Sequence, residues 1–210
     1  MVRPYYIMKK YIKYILVWLL IMLADQGSKL WVYRHMGLGP DHHIKILGDL
    51  FKFTYVLNYG MAFGLQFSFK YGKLLITLVR IFASFYMAVH IVRSLAQSAP
   101  PIWIWGWILL LAGAMGNSID SVFYGVYLNN APDVAPMKWF HGQVIDMLHV
   151  DFWSGMMPDW VPIWGGQEVC VLPIFNIADM AIFFGLGLLL YACSVLAASK
   201  QKDAVTDLIV

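Results

Sequence analysis

Charged side chains are scarce in this sequence. Lysine, arginine, aspartate and glutamate make up only 13% of its 210 residues, whereas 60% are hydrophobic. A soluble globular domain is about one-quarter charged. Together with a mean hydropathy of +0.65, this composition excludes an ordinary soluble domain and indicates an integral membrane protein. The net charge of +3 comes from basic residues that are not clustered, which argues against a nucleic-acid partner.

Cysteine is also rare, because the chain has only Cys170 and Cys193. If the last apolar run is helical, a rise of about 1.5 Å per residue separates the two by about 30 Å. That distance is too long for a disulfide bond. We therefore expect two structural thiols.

The motifs of several hydrolase chemistries are missing. No apolar run contains His-Glu-x-x-His, and the Gly-x-Gly-Asp signature of one class of membrane aspartyl protease is absent. Ser154, which precedes a glycine, has no evident base partner. A metal cluster remains a weaker alternative, formed by His141, Asp146, His149 and Asp151.

Four long apolar runs are present, and a transmembrane helix needs about 20 such residues. They predict a single helical membrane domain with spans at residues 14–33, 74–92, 102–119 and 174–198. We expect extracytoplasmic regions at about 35–73 and 120–172. The basic N-terminus resembles a signal peptide, but neither a small-x-small cleavage site nor a cysteine follows its apolar run. We therefore expect an uncleaved first span and cytoplasmic N and C termini.

The two outer regions differ in composition. Residues 51–57, Phe-Lys-Phe-Thr-Tyr-Val-Leu, are rich in strand formers, and Asn58-Tyr59-Gly60 is typical of a turn. This pattern predicts either a small extracytoplasmic β-sheet resting on the lipid or an ordinary surface hairpin. Residues 120–172 are rich in aromatic side chains and contain one basic residue, Lys138. There we expect short helices and loops at the membrane interface.

Two aspartates lie where the outer membrane boundary is expected. Asp179 begins the fourth run, with Asn176 three residues earlier, and Asp146 lies in the preceding loop. Two carboxylates that share a site acquire different pKa values, which leaves one acid and one base. Such a pair can activate a water for peptide hydrolysis. A helix cap or a surface charge is the plainer explanation for either aspartate.

Asp25 and Lys29 in the first run are spaced i,i+4 and can pair on one helix face. They are consistent with mutual neutralisation, with Lys29 extending outwards to the interface; the alternative is a polar cavity inside the helix bundle. The small residues of Gly113-Ala114-Met115-Gly116 predict close helix packing at the end of the third run.

Five motifs, in this order, resemble the lipoprotein signal peptidase (signal peptidase II) family. They are Asp25-Gln26 with Lys29, Tyr-Val-Leu-Asn-Tyr-Gly-Met-Ala-Phe at 55–63, Gly-Ala-Met-Gly-Asn-Ser-Ile-Asp at 113–120, Val144-Ile145-Asp146, and Phe-Asn-Ile-Ala-Asp at 175–179.

The resemblance implies an aspartic endopeptidase of the bacterial inner membrane, with its active site at the periplasmic face. It implies Asp146 and Asp179 as the catalytic dyad, and a substrate that is a prolipoprotein cut just before its diacylglyceryl-modified cysteine. Neither metal nor cofactor is implied, and we expect a monomer in contact with membrane lipids. The implied supporting or substrate-contacting residues are Asn117, Asp120, Asn176, Asn58, Asp25 and Lys29.

The chain departs from the family pattern in two places. Ser121 stands where the family usually has arginine, directly after Asp120. The segments on both sides of Asp146 are long, which makes Asp151 a rival for the first catalytic position. We hypothesise that the extra aromatic segment lies on the outer leaflet and clamps the lipid-bearing substrate.

Two other classes of function remain open at this point. One is a small proton- or ion-coupled carrier that uses Asp25, Asp120 and Asp179, although carriers often have inverted repeats and none is visible. The other is a scaffold that binds lipoproteins without catalysis, in which neutralising the acidic residues has little effect.

Overall fold

Four helices dominate the structure, a computed structural model that describes residues 4–59, 71–151, 154–162, 165–166, 168–170 and 173–207. Each is long and apolar enough to cross a membrane, in agreement with the four predicted spans. The last one begins at Ile177 rather than at residue 174, because Phe175 pairs with a strand instead. The helices are α1 (Pro4–His35), α2 (Gly72–Ala96), α3 (Pro101–Ile119) and α4 (Ile177–Asp207).

The third helix continues beyond the predicted end of its span. A π-helical turn, Asp120–Tyr124, follows α3 directly and leads into one more helical turn, Gly125–Tyr127. Asp120, Ser121 and Tyr124 are all buried. Turns of this kind are rare and occur frequently at functional sites.

A three-stranded antiparallel sheet has the order β1 (Ile44–Leu47), β2 (Phe51–Asn58) and β3 (Val144–Val150). The sequence predicted β2. Residues 120–172 contain a short helix and loops as expected, but the expectation missed β3, which lies in that region and pairs with β2. The β-branched Val144 and Ile145 favour this strand.

Beside Asp146 the pairing of β2 and β3 is irregular. Phe53 lies opposite Leu148 and Val56 opposite Asp146, so two residues of β2 face one residue of β3. This bulge explains why the neighbouring Thr54 and Tyr55 are both buried, since residues adjacent in a regular strand point to opposite faces.

A second sheet has two short antiparallel strands, β4 (Ser154–Met156) and β5 (Glu168–Cys170). They lie within the aromatic region that follows β3. Several residues of this region and of the 55–63 motif, among them Phe152, Trp153, Trp164 and Gly60 to Phe63, lie outside the described residues.

The contacts divide the chain into two compact units. The helical unit draws on residues 1–23, 78–116 and 178–210. Within it α3 and α4 pack closely at two glycines. A Cβ on Gly113 would collide with the carbonyl oxygen of Ala178, and one on Gly106 would lie 2.7 Å from Leu189 Cγ. The close packing predicted from small residues is thus present at Gly113. The buried core of this unit consists of Tyr14, Met87, Ile91, Ile104, Ile108 and Leu111.

The polar unit draws on residues 24–77 and 117–177. It contains the end of α1, the start of α2, the π-helical turn and the three-stranded sheet. It contains both a cluster of buried apolar residues and a set of buried polar side chains. These apolar residues are Val32, Met36, Tyr55, Tyr124, Ile145 and Met147.

Candidate active site

One face of α1 carries the first polar residues of the site. Asp25, Lys29, Val32 and Met36 are spaced at i, i+4, i+7 and i+11, and all four are buried. Residues at this spacing share a face of a helix. Lys29 has no exposed surface, so the interpretation in which it extends outwards to the interface was wrong.

Lys29 binds three oxygen atoms. Its Nζ lies 2.8 Å from Asp25 Oδ2 and 2.8 Å from Asp120 Oδ2, and it donates to Asn117 Oδ1 at 3.0 Å. These three contacts match the three hydrogens of an ammonium group. Both aspartates are at most 1% exposed. The result is a buried ionic cluster with two carboxylates and one ammonium group.

Gln26 connects the two carboxylates a second time. Its side-chain amide donates to Asp25 Oδ2 and to Asp120 Oδ1, each at 3.0 Å. The hydroxyl group of Tyr124 donates to Gln26 Oε1 at 2.9 Å. The backbone N–H of Ile145, in β3, donates to Asp120 Oδ2 at 3.3 Å. The ionic cluster is therefore attached to the sheet as well as to two helices.

Asp146 is 1% exposed and is held by two asparagines. Asn58 Nδ2, at the end of β2, donates to Oδ2 at 3.0 Å. Asn176 Nδ2 donates to Oδ1 at 2.6 Å. Because a hydrogen bond reaches each carboxylate oxygen, the orientation of the side chain is determined on both sides.

Asn176 connects Asp146 with the ionic cluster. Besides Asp146, its amide donates to Asn117 Oδ1 at 3.1 Å and to the carbonyl oxygen of Ile145 at 3.3 Å. Backbone hydrogen bonds between Phe175 and Leu148 hold the preceding residue beside β3. One network thus runs from Asp25 to Asp146 through the predicted supporting residues.

Asp179 lies in the first turn of α4 and is partly buried. It belongs to the helical unit, whereas Asp146 belongs to the polar unit. Asn176 directly precedes α4 and is not part of its helix. The pairing of the two carboxylates remains a prediction.

A family model described as signal peptidase (SPase) II matches residues 17–195. The chain belongs to the signal peptidase II family. It is therefore a peptidase, and its four long apolar helices fit an inner-membrane protein of that family.

Named relatives of the signal peptidase II family agree with this assignment. The chain is 50% identical to a lipoprotein signal peptidase of Amoebophilus asiaticus over 86% of this chain and 77% of the relative. It is 36% identical to one of Porphyromonas gingivalis over 81% of this chain and 78% of the relative. A solved bacterial membrane enzyme is similar in fold, with a TM-score of 0.60, 22% identity and coverage of 90% of this chain and 91% of the other.

Ser121, which stands where the signal peptidase II family usually has arginine, forms two hydrogen bonds. Ser121 Oγ donates to the backbone carbonyl of Asn117 at 3.0 Å. It also accepts a hydrogen bond from Lys73 Nζ at 3.2 Å. A basic side chain from α2 thus reaches the residue that stands in place of the usual arginine.

The residues of the alternative metal cluster have other partners. Asp151 pairs with Lys52 at 2.8 Å, and His149 Nδ1 lies 3.1 Å from Thr54 Oγ1. Burial, helped by the positive charge of Lys52 and opposed by Asp151, lowers the pKa of His149. Among the described residues, no three histidine, cysteine, aspartate or glutamate side chains form a group that could hold a metal ion.

Some residues of the site were not singled out from the sequence. Gln26 was noted only as part of a motif and Tyr124 only as an aromatic residue, yet both join the ionic cluster. Neither residue could be recognised easily in the sequence, because Tyr124 is brought to Gln26 by the π-helical turn, and the sequence does not predict that turn. Gly142, four residues before Asp146, was not singled out either, because the reason for a glycine at this position is not apparent from the sequence.

That reason is a close backbone contact, and it leads to a prediction. A Cβ at position 142 would collide with the carbonyl oxygen of Asp120 and lie 2.7 Å from the backbone nitrogen of Gly125. We expect Gly142→Ala to lower the free energy of unfolding by about 1–3 kcal/mol, the usual effect of overpacking. Peptidase activity should fall as well, because β3 and Asp146 follow directly.

Gly27→Ala is the matched control, because a Cβ at Gly27 meets nothing within 4 Å. Both variants are compared by thermal unfolding in detergent and by substrate cleavage. If Gly142→Ala and Gly27→Ala unfold at the same temperature and cleave equally fast, the close contact at Gly142 does not matter for the site.

Proposed function

We propose that this chain removes the signal peptide from diacylglyceryl-modified prolipoproteins by cutting the peptide bond just before the lipidated cysteine. Asp146 and Asp179 are the catalytic dyad of this proposal. No metal or cofactor takes part. The observation that most supports this proposal concerns Asp146. In a chain of the signal peptidase II family, this buried carboxylate accepts hydrogen bonds from the side chains of Asn58 and Asn176.

The hydrogen bonds of Asp146 support its choice over Asp151. Asp146 is 1% exposed and joins the network of family motif residues. The side chain of Asp151 is 26% exposed and forms an ion pair with Lys52. A partly exposed carboxylate in an ion pair is the less suitable general base, because its charge is already stabilised by a cation.

In the proposed reaction one carboxylate accepts a proton from water while the water oxygen attacks the scissile carbonyl carbon. A tetrahedral intermediate forms. Its C–N bond then breaks, and the other carboxyl group, which begins the reaction protonated, donates its proton to the leaving amine of the lipidated cysteine. Each aspartate thus changes its protonation state once, and no covalent enzyme intermediate is required.

The proposed orientation places both termini in the cytoplasm and the sheet with the dyad at the periplasmic face. The basic N-terminus supports this orientation, because positive residues favour the cytoplasmic side. The acyl chains of the substrate remain in the bilayer while the scissile bond reaches the dyad. We propose that the chain acts as a monomer surrounded by lipid.

The test is cleavage of a synthetic prolipoprotein peptide by the purified chain in lipid nanodiscs. We expect a cut directly before the diacylglyceryl-modified cysteine, identified by mass spectrometry. The same peptide with an unmodified cysteine should be cut much more slowly, because it lacks the remote binding energy of the acyl chains. Absence of cleavage would contradict the proposed activity, and equal rates for both peptides would contradict the lipid requirement.

A further inference from the structure

Lys73, in the first turn of α2, connects two separate segments of the polar unit. Its Nζ donates to the backbone carbonyl of Tyr59 at 2.7 Å and to Ser121 Oγ at 3.2 Å. Tyr59 follows β2, and Ser121 is the second residue of the π-helical turn. None of the motifs of the sequence included this lysine.

Both contacts lead to groups that hold Asp146. Asn58, directly before Tyr59, donates to Asp146 Oδ2. Ser121 bonds to the backbone of Asn117, whose side chain accepts from the same Asn176 amide that donates to Asp146 Oδ1. A shift of Lys73 would therefore be transmitted to both sides of the Asp146 carboxylate.

Lys73 also changes the charge balance of the polar unit. Asp25, Asp120 and Asp146 bring three buried carboxyl groups, and Lys29 lies between the first two. Lys73 adds a further ammonium group, which contacts Ser121, the neighbour of Asp120. Ser121 is fully buried and itself uncharged. The positive charge beside it is therefore that of Lys73, a residue of α2.

We propose that Lys73 is a positioning residue of the peptidase, which supplies from α2 the positive charge that an arginine at position 121 would supply from the π-helical turn. It acts through Asn58 and Ser121 on the orientation of Asp146. This inference rests on the proposed function, because its readout is the cleavage of the lipid-modified peptide.

The test begins with Lys73→Met, which keeps the length of the side chain and removes the charge. We expect kcat to fall by about 100-fold, the effect of a small misplacement of a reacting group, with little change in KM. Lys73→Arg should keep most of the activity. Lys45→Met is the control, because Lys45 is exposed and pairs with Asp49 outside this network. Thermal unfolding in detergent shows whether each variant is folded.

The decisive comparison is between Lys73→Arg and Lys73→Met, because both keep a long side chain and only arginine keeps the positive charge. We expect kcat of Lys73→Arg to exceed that of Lys73→Met by at least about tenfold, which a lysine with a purely packing role would not require. An unchanged kcat in Lys73→Met, or equal kcat values for Lys73→Arg and Lys73→Met, would overturn the proposal. A wild-type chain that cuts nothing would overturn it together with the proposed function.

Discussion

Asp146→Asn and Asp179→Asn are each expected to lower kcat by about 10²–10⁴-fold, the usual contribution of a general acid or base. Asparagine keeps the size of aspartate but can neither accept the proton of the attacking water nor protonate the leaving amine. The measurement is single-turnover cleavage of the diacylglyceryl-modified peptide by each purified variant. Binding of the peptide should change much less than the rate.

Asp146→Asn has a second effect that must be separated from the loss of chemistry. Both oxygens of Asp146 accept from asparagine amides, of Asn58 and Asn176. An amide at position 146 places an NH₂ group opposite one of these donors. A buried donor without a partner costs about 1–3 kcal/mol, so a lower unfolding temperature is expected together with the lost activity.

The structure offers a variant that separates the two effects. Combining Asp146→Asn with Asn58→Asp exchanges the carboxylate and the amide across the same 3.0 Å contact. The donor and the acceptor are then matched again, so the unfolding temperature should recover. Activity should stay lost, because the carboxylate has moved to the end of β2. Recovery of activity in the exchanged variant would mean that Asp146 acts through the hydrogen bond and not as an acid or base.

Asp151→Asn is the control for both aspartates. Its ion pair with Lys52 joins β2 and the end of β3 at a partly exposed place, so its loss should leave cleavage nearly unchanged. If Asp151→Asn is inactive while Asp146→Asn cuts normally, the rival assignment is correct and the family membership still stands. If all three asparagine variants cut at the wild-type rate, the aspartyl mechanism is wrong.

The polar residues of the site could be predicted from the sequence because they are costly where they occur. Asp25 and Lys29 interrupt an apolar run, and a charged residue in such a run needs a specific partner. Their i,i+4 spacing predicted the contact that the structure has at 2.8 Å. The additional contact of Lys29 with Asp120 could not be predicted in this way, since it joins two helices that are far apart in the chain.

The strand that carries Asp146, β3, was not predicted, because it too depends on contacts between residues that are far apart in the chain. Val144 and Ile145 are good strand formers, but a strand of seven residues in a region of aromatic residues and prolines shows no clear alternation. All of residues 144–147 are buried, so both faces of β3 are covered there and period-two patterning disappears. Pairing with β2 across about 90 residues decided the structure, and such tertiary pairing leaves no local signal.

The role of Lys29 leads to the largest expected change in stability. We expect Lys29→Met to lower the free energy of unfolding by about 3–5 kcal/mol, the usual cost of removing one partner from a buried ion pair. Lys29 is fully buried and binds Asp25, Asp120 and Asn117. Its loss leaves two buried carboxylates without their cation. Chemical unfolding in mixed micelles measures the change, and the exposed Lys45→Met should change little.

Most of this cost should come from the carboxylates that remain and not from the lost attraction. Burying an ion pair already costs desolvation energy, so replacing all charged partners together is often nearly neutral. Adding Asp25→Asn and Asp120→Asn to Lys29→Met should therefore recover a large part of the lost stability, although three polar groups have changed. If the triple variant is less stable than Lys29→Met alone, the three residues stabilise the fold through their hydrogen bonds. Recovery would instead mean that the cost of Lys29→Met comes mainly from the two carboxylates that remain buried without their cation.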